Sequence, residues 1–245
     1  MYGWRGRIGI LLPCANTTME PEFNRLAAEI PGLGIHCTRM HLEVTAEGDI
    51  TTEYLLDMER LATKTVVSEL AHANVGVIVY GCTSGSFVGG PGWDGEIIEG
   101  IRKKTGIATT TATTAVVAAL RAFNARKVAL GTPYDDEITG LGKAFLESEG
   151  FEVVNAIGLD IVPQLADAPV GLAYQLGRKV DTPRADCVFI SCTHFATIDV
   201  IGMLESDLGK PVISANQASF WHALQILGVK ARLSRYGSLF EGVSI

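Results

Sequence analysis

Val77-Ile78-Val79-Tyr80-Gly81-Cys82-Thr83-Ser84-Gly85-Ser86 is an apolar, β-branched run of strand length that stops at a glycine and delivers a cysteine among small hydroxyl residues. The pattern returns as Val188-Phe189-Ile190-Ser191-Cys192-Thr193-His194. Short continuous apolar runs of this kind mark strands buried on both faces, as in parallel sheets. The carboxyl ends of strands in such a sheet line one crevice, so both thiols are placed to face one ligand. The expectation is an enzyme that works with two opposed cysteines and no cofactor.

Working outward, Arg7-Ile8-Gly9-Ile10-Leu11-Leu12-Pro13 is similar to Lys127-Val128-Ala129-Leu130-Gly131-Thr132-Pro133: a basic residue, a short apolar strand, then a proline. Each is followed by a cysteine strand, Cys82 lying 69 residues after Pro13 and Cys192 59 residues after Pro133. The chain therefore reads as two similar halves, 1–115 and 116–245, with the C-terminal helix free to pack back on the first. A pseudo-twofold relation between them sets Cys82 and Cys192 on opposite sides of a central cleft, where small-ligand sites tend to lie.

Strand-like and helix-like segments alternate between these landmarks. Helices are expected near Glu20–Ile30 (N-capped by Thr17 or Thr18), Thr52–His72, Glu96–Lys104, Ala112–Phe123, Ile138–Glu149, Leu172–Val180, Ala196–Leu208 and Gln217–Leu227. Further strands are expected at Gly34–Met40, Gly106–Thr110, Phe151–Ala156 and Val212–Ser214. Such alternation means βαβ units with right-handed crossovers and helices on both faces of a parallel sheet: an α/β fold.

Of the 245 residues 47% are hydrophobic and 19% charged, a globular balance. The net charge of −7, without clustered Lys and Arg, argues against nucleic acid as a partner. The first apolar run, Ile8–Leu12, is too short and too soon interrupted by Pro13 for a signal peptide or a membrane span, so a cytoplasmic location is expected. Five cysteines, an odd count without CxxC spacing, read as free thiols; nothing in their spacing supports a metal site. No GxGxxG or GxxxxGK[ST] loop suggests a nucleotide.

The chemistry these residues allow centres on thiolates. A cysteine at a strand end that opens a helix gains from the dipole and the local N–H groups. The amides and hydroxyls of Thr83, Ser84 and Thr193 can form a small anion nest for a carboxylate, and Asn16 and Tyr134 can donate to a second one. His194 is a proton partner for Cys192 or a substrate contact, and Cys14 a pocket-lining residue. Cys37, Cys187, His36, His41, His72 and His222 read as structural or surface residues. Asp135 and Asp136 read as charges favoured at a helix N-terminus.

Pro13-Cys14-Ala15-Asn16-Thr17-Thr18-Met19-Glu20, Tyr80-Gly81-Cys82-Thr83, Gly89-Gly90-Pro91-Gly92, Thr132-Pro133-Tyr134 and Ser191-Cys192-Thr193 occur in this order. With them the chain resembles, over nearly its whole length, the aspartate/glutamate racemase superfamily, in particular its maleate cis–trans isomerase and arylmalonate decarboxylase branch. The resemblance implies two similar Rossmann-like parallel-sheet domains with the site in the cleft between them and cofactor-independent chemistry on a small carboxylic acid, and it is compatible with a homo-oligomer. In the isomerases the counterpart of Cys82 attacks the alkene and that of Cys192 handles a proton, while Asn16 and Tyr134 stand where substrate carboxylates are held. In the racemases two thiols exchange a proton on opposite faces of a stereocentre; in the decarboxylases glycine replaces the first cysteine. Thr83-Ser84-Gly85-Ser86 departs from the isomerase pattern, and Cys192-Thr193-His194-Phe195 is similar to a glutamate racemase motif. Isomerisation, racemisation and decarboxylation all remain open, as does a carboxylate-binding or thiol redox-sensing module.

Overall fold

The computed structural model describes residues 2–40, 52–61 and 66–241. In chain order the elements are β1 (Gly6–Pro13), α1 (Met19–Ala28), β2 (Leu33–Met40), α2 (Thr52–Leu61), α3 (Val67–His72), β3 (Val77–Tyr80), α4 (Thr83–Phe87), α5 (Trp93–Thr105), β4 (Ala108–Thr111) and α6 (Ala112–Ala122). There follow β5 (Lys127–Thr132), α7 (Asp136–Ser148), β6 (Glu152–Gly158), a 3-10 turn (Val162–Asp167), α8 (Gly171–Val180), β7 (Cys187–Ile190), α9 (Ile201–Leu208), β8 (Val212–Ser214) and α10 (Ala215–Leu227).

The strands form two four-stranded parallel sheets of the same order, β2-β1-β3-β4 and β6-β5-β7-β8. The repeat read between Arg7–Pro13 and Lys127–Pro133 is thus the repeat of the central strands β1 and β5. Each is flanked by its cysteine strand, and both cysteine strands leave their sheet alike. The Gly81 N–H bonds Leu11 O at 2.8 Å, and the Ser191 N–H bonds Gly131 O at 2.8 Å. Position 81 is a glycine because a Cβ there would meet the Met19 sulfur at 2.7 Å and Leu11 O at 2.8 Å. β3 and β7 are buried throughout, as continuous apolar runs in a parallel sheet must be.

Helices cover the faces. α10, buried along most of its length, packs against α6, β3, β4 and α1, with Phe220 meeting Phe23 edge-on at a centroid distance of 5.2 Å. Its start is fixed by a capping box in which Ser214 and Gln217 satisfy each other's backbone N–H groups.

Of the helix expected over Thr52–His72, α2 and α3 are described, and residues 62–65 between them lie outside the described residues. Two expectations need correction. Neither Thr17 nor Thr18 caps α1: Asn16 Oδ1 accepts the N–H groups of Thr18 and Met19, both at 3.0 Å, and Thr18 makes no side-chain cap bond. The helix expected from Ala196 begins only at Ile201, because the N–H groups of Thr197 and Ile198 are taken by the Glu22 carboxylate. Asp135, in contrast, caps α7 through the Ile138 N–H, and Asp136 lies in its first turn.

Candidate active site

A cleft of about 510 Å³, part of it open to solvent, lies at the carboxyl ends of the central strands. Pro13, Ala15 and Asn16 reach it from the β1–α1 loop, and Cys82, Thr83 and Ser84 from the end of β3. Tyr134 comes from the end of β5, and Cys192, Thr193 and His194 from the end of β7. All eight residues expected at the site therefore line one cleft. The remaining wall is one the sequence reading missed: Tyr54 and Leu55 on α2, and Val162 and Leu165 on the 3-10 turn. The spacing of Leu55 on a helical stripe signalled burial but not which cavity it faces.

Cys82 is the N-cap of α4, its sulfur accepting the Gly85 N–H at 3.4 Å with Ser84 Oγ at 3.8 Å. Burial raises its pKa, and these two hydrogen bonds oppose the rise. Cys192 is different, because no helix follows it directly. Its φ of +88° is unusual for a residue with a side chain and costs about 1–3 kcal/mol, which the surrounding contacts must offset. Burial pushes its thiol up to about 12, opposed by hydrogen bonds from the Tyr134 hydroxyl and the N–H groups of His194 and Phe195. Donors thus surround both sulfurs. The helix-dipole effect expected for both applies to Cys82 alone.

Tyr134 lies between the two cysteine loops. Burial holds its phenol well above the usual range, as do the fields of Cys192 and Cys82, and it shares hydrogen bonds with Cys192 and Ser84. Phe87, from the end of α4, meets its ring at 76° and 6.4 Å and so fixes its plane.

Asn16 and Thr193, read as substrate donors, bond each other. Asn16 Nδ2 donates to Thr193 Oγ1 at 3.1 Å, and Thr193 Oγ1 donates to Gly81 O at 2.9 Å. They tie the two cysteine loops together across the cleft. Thr83 differs: its hydroxyl is buried without a hydrogen-bond partner, a donor left available at the cleft wall. His194 is half-buried at the mouth, its Nε2 3.2 Å from Thr17 Oγ1, and burial lowers its pKa. His222, read as structural, pairs through Nδ1 with Thr110 Oγ1 at 2.9 Å. Cys14 is partly exposed and does not line the cleft, and His41 lies outside the described residues.

The loop carrying Cys192 is held from behind by Glu22 on α1, which is 6% exposed. Glu22 Oε1 accepts the Thr197 and Ile198 N–H groups at 2.7 and 3.1 Å, and Oε2 accepts Asn216 Nδ2 at 2.6 Å. Asn216 Nδ2 also donates to Thr193 O at 3.0 Å. Burial raises Glu22 from 4.5 to about 7, opposed by the three hydrogen bonds. A signal for it existed in the sequence, since Glu22 is the one acid on the apolar stripe Met19, Phe23, Leu26.

Among the described residues no group of His, Cys, Asp and Glu is arranged to hold a metal ion, and no helix is long and apolar enough to cross a membrane.

Known proteins are similar to this chain over nearly its whole length. An arylmalonate decarboxylase from Bordetella bronchiseptica is 32% identical, over 96% of this chain and 96% of its own. A maleate isomerase from Nocardia farcinica is 28% identical, over 96% of this chain and 95% of its own. A solved structure of a Nocardia farcinica maleate cis–trans isomerase mutant holds a covalently bound succinylcysteine intermediate. It superposes with a TM-score of 0.89 at 26% identity, covering 96% of this chain and 98% of its own. The family model for arylmalonate decarboxylase matches residues 8–240, and the chain belongs to that family.

Proposed function

We propose that this member of the arylmalonate decarboxylase family is a cofactor-independent isomerase of a small unsaturated carboxylic acid, of the maleate cis–trans type, with Cys82 as nucleophile and Cys192 as acid and base. One observation carries the reading: both thiols line one cleft at the ends of equivalent strands, each sulfur within reach of several hydrogen-bond donors. Donors of this kind stabilise a thiolate at the moment it forms, which is what nucleophilic and proton-transfer steps require.

The substrate carboxylate binds against the Thr83 hydroxyl and the backbone around Ser84. Cys82, having yielded its proton to solvent, adds to one alkene carbon. The new C–S bond forms as the π bond opens, and the neighbouring carbon takes the proton of Cys192. Rotation about the resulting single bond brings the second carboxylate to the trans position. The Cys192 thiolate then removes the hydrogen that rotation has brought to it on that carbon, the double bond re-forms and Cys82 leaves as thiolate. Tyr134 stabilises the charge on Cys192 between the two proton transfers. The Nocardia farcinica enzyme with its succinylcysteine intermediate supports a thioether of this kind.

A second reading is decarboxylation of a substituted malonate, with Cys192 delivering the proton. It is favoured by the apolar wall of Tyr54, Leu55, Val162 and Leu165, which suits an apolar substituent better than a second carboxylate. The resemblance places a glycine where this chain has Cys82, and that weighs for isomerisation.

Proton NMR of the purified protein in deuterated water separates these readings, using maleate, methyl-substituted maleate, aspartate, glutamate and phenylmalonate. A fumarate signal from maleate supports the isomerase. Loss of an α-proton signal without a new compound indicates racemisation, and a monocarboxylate from phenylmalonate indicates decarboxylation. Binding without any turnover returns the protein to the carboxylate-binding class.

A further inference from the structure

We propose that Glu22 is a positioning residue for Cys192, acting through Asn216 and the loop 193–198. The inference rests on the use of Cys192 proposed above, but its geometry stands by itself. The loop from β7 to α9 must hold Cys192 at a φ of +88° in the cleft wall, with the Phe195 N–H bonded to Cys192 O at 3.3 Å. No helix or strand supplies that conformation. It is fixed at both ends by one buried pair of side chains, Glu22 from the first half of the chain and Asn216 from the start of α10.

The ties divide the loop neatly. Asn216 Nδ2 holds its beginning at Thr193 O, and Glu22 Oε1 holds its end at the Thr197 and Ile198 N–H groups. Glu22 Oε2 joins the two anchors through Asn216 Nδ2. Thr18 Oγ1 adds a bond to His194 O at 3.0 Å, again from the first half. Glu22 does not line the cleft, and it touches neither thiol. Its effect on chemistry runs through the loop: a buried carboxylate accepting three donors fixes where the Cys192 sulfur points relative to Cys82. Orientation of this kind matters because small displacements of a reacting group cost large factors in rate.

Glu22→Gln keeps the shape but sets an amide N–H against groups that are already donors. Asn216→Ala removes both bonds of Nδ2 at a helix position that tolerates alanine. Two readouts are needed for each variant: amide hydrogen exchange resolved by segment, and kcat and KM on the substrate found in the NMR panel. The expected result is exchange at least tenfold faster in 193–198 with residues 82–88 unchanged, and kcat at least tenfold lower with KM within threefold. A purely structural role predicts faster exchange everywhere with normal kcat per folded molecule, and that result overturns the proposal. So does unchanged exchange in 193–198. If the parent protein turns over nothing in the panel, the isomerase reading fails while the exchange experiment still decides: a rise confined to 193–198 supports the anchoring, and a quiet loop rejects it.

Discussion

Asn16 and Thr193, 177 residues apart, are joined side chain to side chain at 3.1 Å inside the cleft. Asn16 meanwhile caps α1 through its oxygen, and Thr193 passes the contact on to Gly81 O. The two strand-end loops that present Cys82 and Cys192 are therefore one hydrogen-bonded unit rather than two independent binding loops.

Asn16→Asp tests this unit. The carboxylate can still cap α1, but it has no donor for Thr193 in a site 1% exposed, and the Arg39 guanidinium beside it is already held by the Asn16 carbonyl oxygen and Glu20. The expected outcome is a loss of about 1–3 kcal/mol in urea unfolding, from a broken buried bond and a desolvated carboxylate. Turnover should fall even at temperatures where the variant is folded. Full activity in the folded variant would show that the tie is dispensable.

Cys82→Ser and Cys192→Ser should each lower turnover by about 10²–10⁴-fold, the usual scale for losing a nucleophile or an acid–base group. Circular dichroism should show the fold intact. Near-normal activity in either variant rules out the two-thiol mechanism.

The positive φ of Cys192 makes a separate prediction about stability. Among inactive variants, Cys192→Gly should be more stable than Cys192→Ala by about 1 kcal/mol, because only glycine adopts that conformation without steric cost. Urea unfolding of the pair measures the difference, and equal midpoints would mean that the strained loop relaxes in the alanine variant.

Tyr134→Phe removes the hydroxyl shared with Cys192 and Ser84 but keeps the ring that Phe87 packs against. Turnover should drop by about 10–100-fold with little change in melting temperature. A matching loss of stability would instead assign the hydroxyl to folding.

Glu22 gives the protein a pH signature. Burial raises its pKa from 4.5 to about 7, so the native state binds the proton more tightly than the unfolded chain. The stability it adds is fully present below pH 4.5 and is lost as pH rises through about 7, a change of about 3 kcal/mol. The neighbouring charges keep their form across this window: Asp199, whose pKa lies below the usual carboxylate value, is held by Arg25 at 2.6 Å. Urea unfolding between pH 4.5 and 8 should show this decline in the parent protein and a flatter curve in Glu22→Gln. Identical slopes would contradict the shifted titration.

Much of this was legible in the chain. Val77–Tyr80 and Val188–Ile190 are unbroken apolar runs because both faces of a parallel strand are buried, and that composition survives as a local pattern. Gly81 and Pro13 mark strand ends for equally local reasons, so the repeat that pairs Cys82 with Cys192 could be read directly. Glu22 and Asn216 were harder to find. Glu22 interrupts an apolar helical stripe, a detectable oddity, but its partners lie 175 and 194 residues away. Tyr54, Leu55, Val162 and Leu165 had ordinary core spacing, and nothing local tells a residue facing a cavity from one facing a sheet.

The sequence by itself determined the α/β class, the duplication, the strand ends at which the cysteines stand and eight of the residues that line the cleft. Periodicity, β-branching and glycine placement act over a few residues, so they can be read without the fold. Only the tertiary structure decided what those residues do to one another: that Asn16 holds Thr193, that Cys192 follows no helix dipole but sits strained under Tyr134, and that a buried glutamate from the other half fixes its loop. These are hydrogen bonds between groups far apart in the chain. Their partners are chosen by which elements pack together, and no short stretch of sequence contains that information.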